Sequence, residues 1–432
     1  MRPCCLALLF CAAAASGQDR KRDAASDKLV TTLPDGVDPS TIAVNALTNR
    51  LRWCLARDGG SWKVFTAKGA GPSFDEIRGL LPAGGADEDC AYAGRRDREW
   101  FIVSPGACKG PYQDVGRPVP LGEGEVAYRF KKDGEWRVSI GENVRGPFDE
   151  VGDPVVRPIT GSTRNHNVVA FRAKSGGRWF VMENQSKGAP HDDVGDPVYR
   201  MKPNFMAYRA RDGEKCFVMI ETKKGETFDE IGALFVHPYV AGAADETVCY
   251  AARTGAKWVV VAGRTKSEAY DEVGAIGWIT ADSGRPASEA ISYPARVGTS
   301  WFLVVGGRRL KGHDEVGVPN VMPVGDGREA TNRVTCPARD GRRWKMMTDD
   351  AAGPEFDAVG TPFCTLSGRL TYAAREGEAW HVVVDQRKLP ETYEHIVFGP
   401  RFDASQGFED HILLFFVRGR ELWRRELVVP RK

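Results

Sequence analysis

Tryptophan returns along this chain at nearly even intervals, and that interval restricts the fold to repeat architectures. The register runs through Trp62, Trp100, Trp136, Trp179, Trp258, Trp301, Trp344, Trp380 and Trp423, with Cys216 in the one vacant slot. Steps range from 36 residues (Trp100 to Trp136) to 43 (Trp136 to Trp179). Twelve residues after eight of the nine leading anchors comes an aromatic or His: Phe74, Tyr112, Phe148, His191, Phe228, Tyr270, His313 and Phe356. The ninth, Tyr393, lies thirteen after Trp380. Eight residues before the anchors stand Cys54, Tyr92, Tyr128, Phe171, Tyr208, Tyr250, Tyr293, Cys336, Tyr372 and Phe415. Ten modules on one template of about forty residues mark a repeat array.

Each module reads as β-structure. In VAYRFKKDGEWRVSIG, Val126 to Gly141, Tyr128 and Phe130 flank Arg129, and Trp136, Val138 and Ile140 alternate with Arg137 and Ser139. A period of two is the mark of strands. Asp133-Gly134 between the two arms is a hairpin signal, because a type I′ turn needs positive φ that Gly adopts at little cost. Runs such as WVVVAG from Trp258 and WFLVVGG from Trp301 lose the alternation, as strands covered on both faces do. FDEVG is expected to add a short third strand and the Pro-containing stretch after it, as in GDPVVRP, a fourth. Four-stranded antiparallel units that need cover on both faces stack radially as a β-propeller. The expected fold is therefore all-β, a propeller of about ten four-stranded blades, as one ring or as two five-blade rings.

The acidic pair in FDEVGDPVV, Phe148 to Val156, invites a metal or acid–base reading. It recurs, however, at Phe74, His191, Phe228, Tyr270 and His313, with Gln113-Asp114, Asp357-Ala358 and Glu394-His395 as variants. A device repeated in most modules is a building block. An Asp before a short outer strand is expected to accept backbone N–H groups or to solvate an exposed edge. The tryptophans are expected to pack between blades. Ten anchored hairpins accompany nine FDEVG-type segments, so the last module lacks a strand. The early segment KLVTTL, Lys28 to Leu33, is strand-like and is expected to close the ring by completing that module.

Written out, the module resembles the repeat of TolB-like and WD-repeat-like β-propellers of exported bacterial proteins. The best instances are LTYAAREGEAWHVVVDQ, Leu370 to Gln386, and VAYRFKKDGEWRVSI, Val126 to Ile140. LPDG at Leu33 comes nearest to that family's Ser-Pro-Asp-Gly turn. The resemblance spans about Leu29 to Val429 and implies a propeller without a separate catalytic domain.

The first residues, MRPCCLALLFCAAAASGQDRKRD, pair Arg2 with an apolar run from Cys4 to Ala15 and small residues to Gly17. They read as a signal peptide over 1–17, cleaved after Gly17, followed by a charged linker over 18–27 and the array over 28–432. An alternative lipoprotein reading would use Cys11. No later segment is long and apolar enough to predict a transmembrane span. An exported chain, periplasmic or extracellular, keeps seven cysteines in an oxidising compartment: Cys54, Cys90, Cys108, Cys216, Cys249, Cys336 and Cys364. Several occupy slots that are apolar elsewhere, which favours core filling; any pairing among them stays open. With 60 Lys plus Arg against 58 Asp plus Glu and no basic run, a nucleic-acid partner is not expected.

Module lengths vary chiefly at one point, the loop between the first and second strands. Long forms are GSTRNHN (from Gly161), AGAADE (from Ala241), DSGRPASEA (from Asp282), GDGREATNR (from Gly325) and DASQGFEDH (from Asp403). Equivalent loops emerge on one face of a propeller, and loops on a rigid scaffold are where binding concentrates. The candidate binding residues are Arg164, His166, Asp282, Arg285, Arg328, Glu329, Asp410 and His411. The sequence holds no GxSxG, HExxH, GxxxxGK[ST] or EF-hand motif, and neither metal nor cofactor is expected. Two functions remain: a binding or scaffold propeller for a protein or cell-envelope polymer, or a glycosidase-like carbohydrate-active enzyme with two carboxylates at the central channel.

Overall fold

The computed structural model describes residues 27–428 apart from 46, 47, 49, 84–88, 158–167, 202, 203, 237–246, 280–286, 325–330, 365–368 and 403–410. Ten antiparallel sheets follow one another along the chain as the blades of a single propeller, numbered here in chain order. Blade 3 is representative. Its inner strand comes in two pieces, Asp114–Val115 and Val119–Gly122, both paired with Glu125–Lys132. The second strand turns through Asp133-Gly134, both at positive φ, into Glu135–Ile140, and Asn143–Phe148 forms the outer edge. Inner strands of adjacent blades touch, as Val119–Gly122 touches Val155–Arg157 of blade 4, which in turn touches Val198–Met201 of blade 5.

The stretch FDEVGDPVV, Phe148 to Val156, is divided between two blades. Phe148 ends the outer strand of blade 3, whereas Glu150–Val151 and Val155–Arg157 form the inner strand of blade 4. FDEVG is thus not a third strand of its own module, nor the Pro segment a fourth. The outer strand instead precedes FDEVG, in stretches such as NVRGPF whose Gly and Pro disguise it. Pro154 has no N–H to donate, which suits the break between the two inner pieces.

The spacings of twelve and eight now have physical meanings. Each Trp-slot residue faces its downstream aromatic directly across an antiparallel pair: Trp62↔Phe74, Trp100↔Tyr112, Trp136↔Phe148, Trp179↔His191, Cys216↔Phe228, Trp258↔Tyr270, Trp301↔His313, Trp344↔Phe356 and Trp380↔Tyr393. The downstream aromatic then packs on the buried residue of the next blade. Phe74 meets Tyr92 at 6.2 Å between ring centroids, Phe148 meets Phe171 at 5.8 Å, Phe228 meets Tyr250 at 6.1 Å and Tyr270 meets Tyr293 at 6.0 Å. All ten residues at the earlier spacing are buried.

Blade 10 departs by one position. Arg418 pairs with Glu421 across its hairpin, so Leu422 faces Val417 where a Trp stands in other blades. Trp423 lies on the opposite side of the sheet, and the residue turned toward blade 9 is Leu414 or Phe416, not Phe415.

Apolar clusters bridge every junction. Val138 and Phe171 join blades 3 and 4, Val218 and Tyr250 join blades 5 and 6, and Cys54, Leu413, Phe415 and Leu422 join blade 10 to blade 1. The cluster between blades 5 and 6 and the one between blades 10 and 1 decide between the two arrangements. The chain forms one ring of ten blades, not two rings of five.

Closure uses the expected segment. Lys28–Thr32 pairs antiparallel with Glu421–Val428, placing Lys28 opposite Arg424 and Thr32 opposite Glu421. Asp27 accepts hydrogen bonds from Arg425 and from Arg418 Nη2 at 3.1 Å, and Leu33 is buried in the closing cluster. Loss of the outer strand exposes blade 10 and the cluster behind it, so a chain lacking residues 1–33 is expected to melt at least about 5 °C lower than one lacking residues 1–26, by calorimetry.

Candidate functional site

The second-to-third strand hairpins of all blades point to one rim, where the recurring acids gather. In blades 5 to 9 the first acid of the pair accepts a backbone N–H from the hairpin tip of the blade it opens. Gly213 N–H donates to Asp192, Gly255 to Asp229, Gly298 to Asp271, Gly341 to Asp314 and Gly377 to Asp357, each at 2.7 Å. Gln113 and Glu394 do the same for Gly134 and Gly419. The expected backbone role is borne out, although the acid precedes an inner strand, not an outer one.

Cations complete this rim. A Lys or Arg immediately before the Trp slot reaches the acid fourteen residues on: Arg178 to Asp192 at 2.7 Å, Lys215 to Asp229 at 2.6 Å, Lys257 to Asp271 at 2.5 Å and Arg343 to Asp357 at 2.5 Å. The second acid of the pair holds a cation of the adjacent strand, as Glu230 holds Arg253 and Glu315 holds Arg339, both at 2.7 Å. Hydrogen bonds from Lys215 and Lys257 hold the carboxyls of Asp229 and Asp271 below the usual range.

Arginine also covers indole faces. Arg78 lies 3.8 Å from the Trp100 ring centroid, Arg129 lies 4.7 Å from that of Trp136, and Arg172 lies 5.1 Å from that of Trp179. Arg129 and Arg172 also pair across blade junctions with Asp153 at 2.7 Å and Asp196 at 3.0 Å. Trp100, Trp136 and Trp179 join the inter-blade clusters, as expected.

Two of the downstream aromatic slots carry histidine. His191 Nδ1 lies 3.1 Å from Asp212, and His313 Nδ1 lies 3.1 Å from Asp340, which also pairs with Lys345 at 2.6 Å. Partial burial pushes the Asp340 carboxyl up, but the hydrogen bonds from Lys345 and His313 outweigh it and hold the group at about 2.

Two grooves open in this rim. One, of about 450 Å³ between blades 7 and 8, is lined by Pro294, Trp301, Asp314, Glu315, Val318 and Arg339, among others. The other, of about 340 Å³ between blades 9 and 10, is lined by Ala379, Tyr393, Glu394, Phe416 and Arg418, among others. Sequence reasoning passed over both, because it treated all modules as equivalent; the signal lies in the positions where blades 7 and 9 depart from blades 3 to 6 and 8.

At the opposite rim the inner strands end and the second strands begin. The long loops leave after inner strands such as Val155–Arg157, Glu230–Val236 and Gly277–Trp278 and return into second strands. Arg164, His166, Asp282, Arg285, Arg328, Glu329 and Asp410 lie outside the described residues. His411 is the first residue of the second strand of blade 10, His411–Arg418.

The seven cysteines among the described residues are free thiols. Burial pushes Cys249, Cys336 and Cys364 up to about 12, which keeps them protonated and unreactive in the core positions expected of them. Among the described residues, no group of three His, Cys, Asp or Glu side chains is placed to hold a metal ion, and no helix is long and apolar enough to cross a membrane.

No family model matches the chain, and no curated protein matches it. Among solved structures it is similar to BBS1N, crystallised in complex with ARL6DN. In a lead-soaked crystal the identity is 10% and the TM-score 0.30, over 74% of this chain and 92% of that one. In a mercury-soaked crystal the identity is 11% and the TM-score 0.23, over 61% and 88%. Likeness at this level bears on neither ligand nor activity.

Because the Asp340 carboxyl is held low in the folded chain, its contribution to stability is present above the unfolded pKa of about 4 and is lost as pH falls toward 2. Asp340→Asn is therefore expected to lower the melting temperature at pH 7, and the gap from the parent should close between pH 4 and pH 2 in a calorimetric series. A gap that persists at pH 2 assigns the loss to packing instead.

Proposed function

We propose that the chain is an exported, non-enzymatic propeller whose loop rim binds a protein or a cell-envelope polymer. The observation that carries this reading is the contrast between the two rims. On the hairpin rim the recurrent acids are engaged by turn N–H groups and most by neighbouring cations. On the loop rim the insertions differ from blade to blade in length and in charge, and they stand on a ring whose every junction is packed. A rigid frame with varied loops is the arrangement on which recognition is built. Arg164, His166, Asp282, Arg285, Arg328, Glu329, Asp410 and His411 are the side chains proposed to make the contacts. Residues 1–17 are proposed to direct export and to be removed.

Affinity capture from the exported fraction tests the reading. The intact ring is expected to retain one or a few partners, and replacing 403–410 and 282–286 by short Gly/Ser loops is expected to weaken retention at least tenfold with little change in melting temperature. Retention that survives both replacements removes the loop rim from consideration. Turnover of polysaccharides or chromogenic glycosides, abolished by one carboxylate substitution, would establish the carbohydrate-active alternative. N-terminal sequencing of the exported chain is expected to begin at Gln18.

A further inference from the structure

The two grooves of the hairpin rim open where the repeat omits its own cations. In blades 3, 4, 5, 6 and 8 one of two cationic side chains stands at the corresponding position. The first is an arginine seven residues before the Trp slot: Arg129, Arg172 and Arg209 in blades 3, 4 and 5. The second is the Lys or Arg just before that slot, which pairs with the acid of the following blade: Arg178, Lys215, Lys257 and Arg343 in blades 4, 5, 6 and 8. Blade 7 has neither, and blades 1, 2 and 10, with Leu55 and Ser61, Ala93 and Glu99, and Phe416 and Leu422, also lack both. In blade 7 Pro294 stands at the first position and Ser300 at the second. Blade 9 has Ala373 and Ala379. The grooves lie at the junctions blades 7 and 9 make with blades 8 and 10.

At the larger groove the omission leaves an anionic and aromatic pocket. Asp314 keeps its bond from the Gly341 N–H at 2.7 Å, but among the described residues no cation pairs with it. Glu315 and Arg339, the other charged groups lining the groove, engage each other at 2.7 Å. The half-buried Trp301 indole forms part of the wall, Val318 is half-exposed beside it, and Arg296 is held away by Glu272 at 3.2 Å and the Gly298 carbonyl at 2.8 Å. A guanidinium satisfies both features at once, since its planar fork suits a carboxylate and its face suits an indole.

We infer that the groove between blades 7 and 8 receives an arginine side chain from a partner protein, seated against Trp301 and paired with Asp314. The partner thereby supplies in trans the cation that neighbouring blades carry themselves. This contact lies on the rim opposite the variable loops and does not depend on what those loops bind.

The test uses the full chain labelled with 5-fluorotryptophan, the Trp301 signal being assigned by Trp301→Phe. The protein is titrated with acetyl-Gly-Arg-Gly-amide at about 50 mM salt, where a single ion pair is weakly screened. The Trp301 resonance is expected to shift saturably while that of Trp136, already under Arg129, stays in place. The same peptide with citrulline, a neutral isostere, is expected to bind at least about fivefold more weakly. Ser300→Lys, which restores the internal pair, and Asp314→Asn, which keeps an acceptor for Gly341, are each expected to weaken the arginine peptide by a similar factor. Equal binding of the citrulline peptide, or undiminished binding to both variants, overturns the inference. So does a Trp301 signal that never saturates.

Discussion

The ring depends on one repeated contact: an aromatic side chain that ends an outer strand, hydrogen-bonded through its backbone to the Trp slot of its own blade and packed through its ring on the next. Phe148 does this between Trp136 and Phe171, and Phe228 between Cys216 and Tyr250. The residue therefore belongs to two blades at once. Its backbone completes one sheet and its side chain begins the interface with another. Apolar burial at such a position is worth roughly 2–3 kcal/mol per large side chain, and aromatic pairs add about 0.5–1.5. Nine junctions built this way, and the apolar seam between blades 10 and 1, explain why no blade needs a core of its own.

The rest of the module serves that junction. The acid that follows the aromatic ties the incoming inner strand to the hairpin tip of the new blade, as Asp229 does for Gly255. Most of these ion pairs are half-exposed, and such pairs contribute little individually. Their recurrence sets the angle and register at which one blade meets the next. Variation is tolerated when the shape is kept: histidine replaces the aromatic in blades 4 and 7 and takes a carboxylate partner with it, Asp212 or Asp340.

Much of this was legible from spacing. Tryptophans at a near-constant interval, with buried aromatics before and after, state both the number of blades and the need for cover on two faces. The early strand was legible because one module was a strand short. Strand order within the blade was not. Asn143–Phe148 holds Gly146 and Pro147 and carries no alternation, so it reads as a loop, although an edge strand needs only one ladder of hydrogen bonds. Trp423 misled because a one-residue slip reverses the side of the sheet. The groove at Trp301 was missed because it is defined by what Pro294 and Ser300 replace, and an absent side chain leaves no motif.

The closing strand has a consequence for how such a ring comes into being. Asp27 and Arg418 are separated by 391 residues, yet they meet at the seam. During synthesis Lys28–Thr32 emerges long before its mate, Glu421–Val428. Until that mate appears, an unsatisfied edge and an oily flank wait at each end of a growing crescent, open to pairing with another nascent crescent. Assembly at low local concentration, or under the shelter of a chaperone, would favour joining head to tail within one molecule over joining between two.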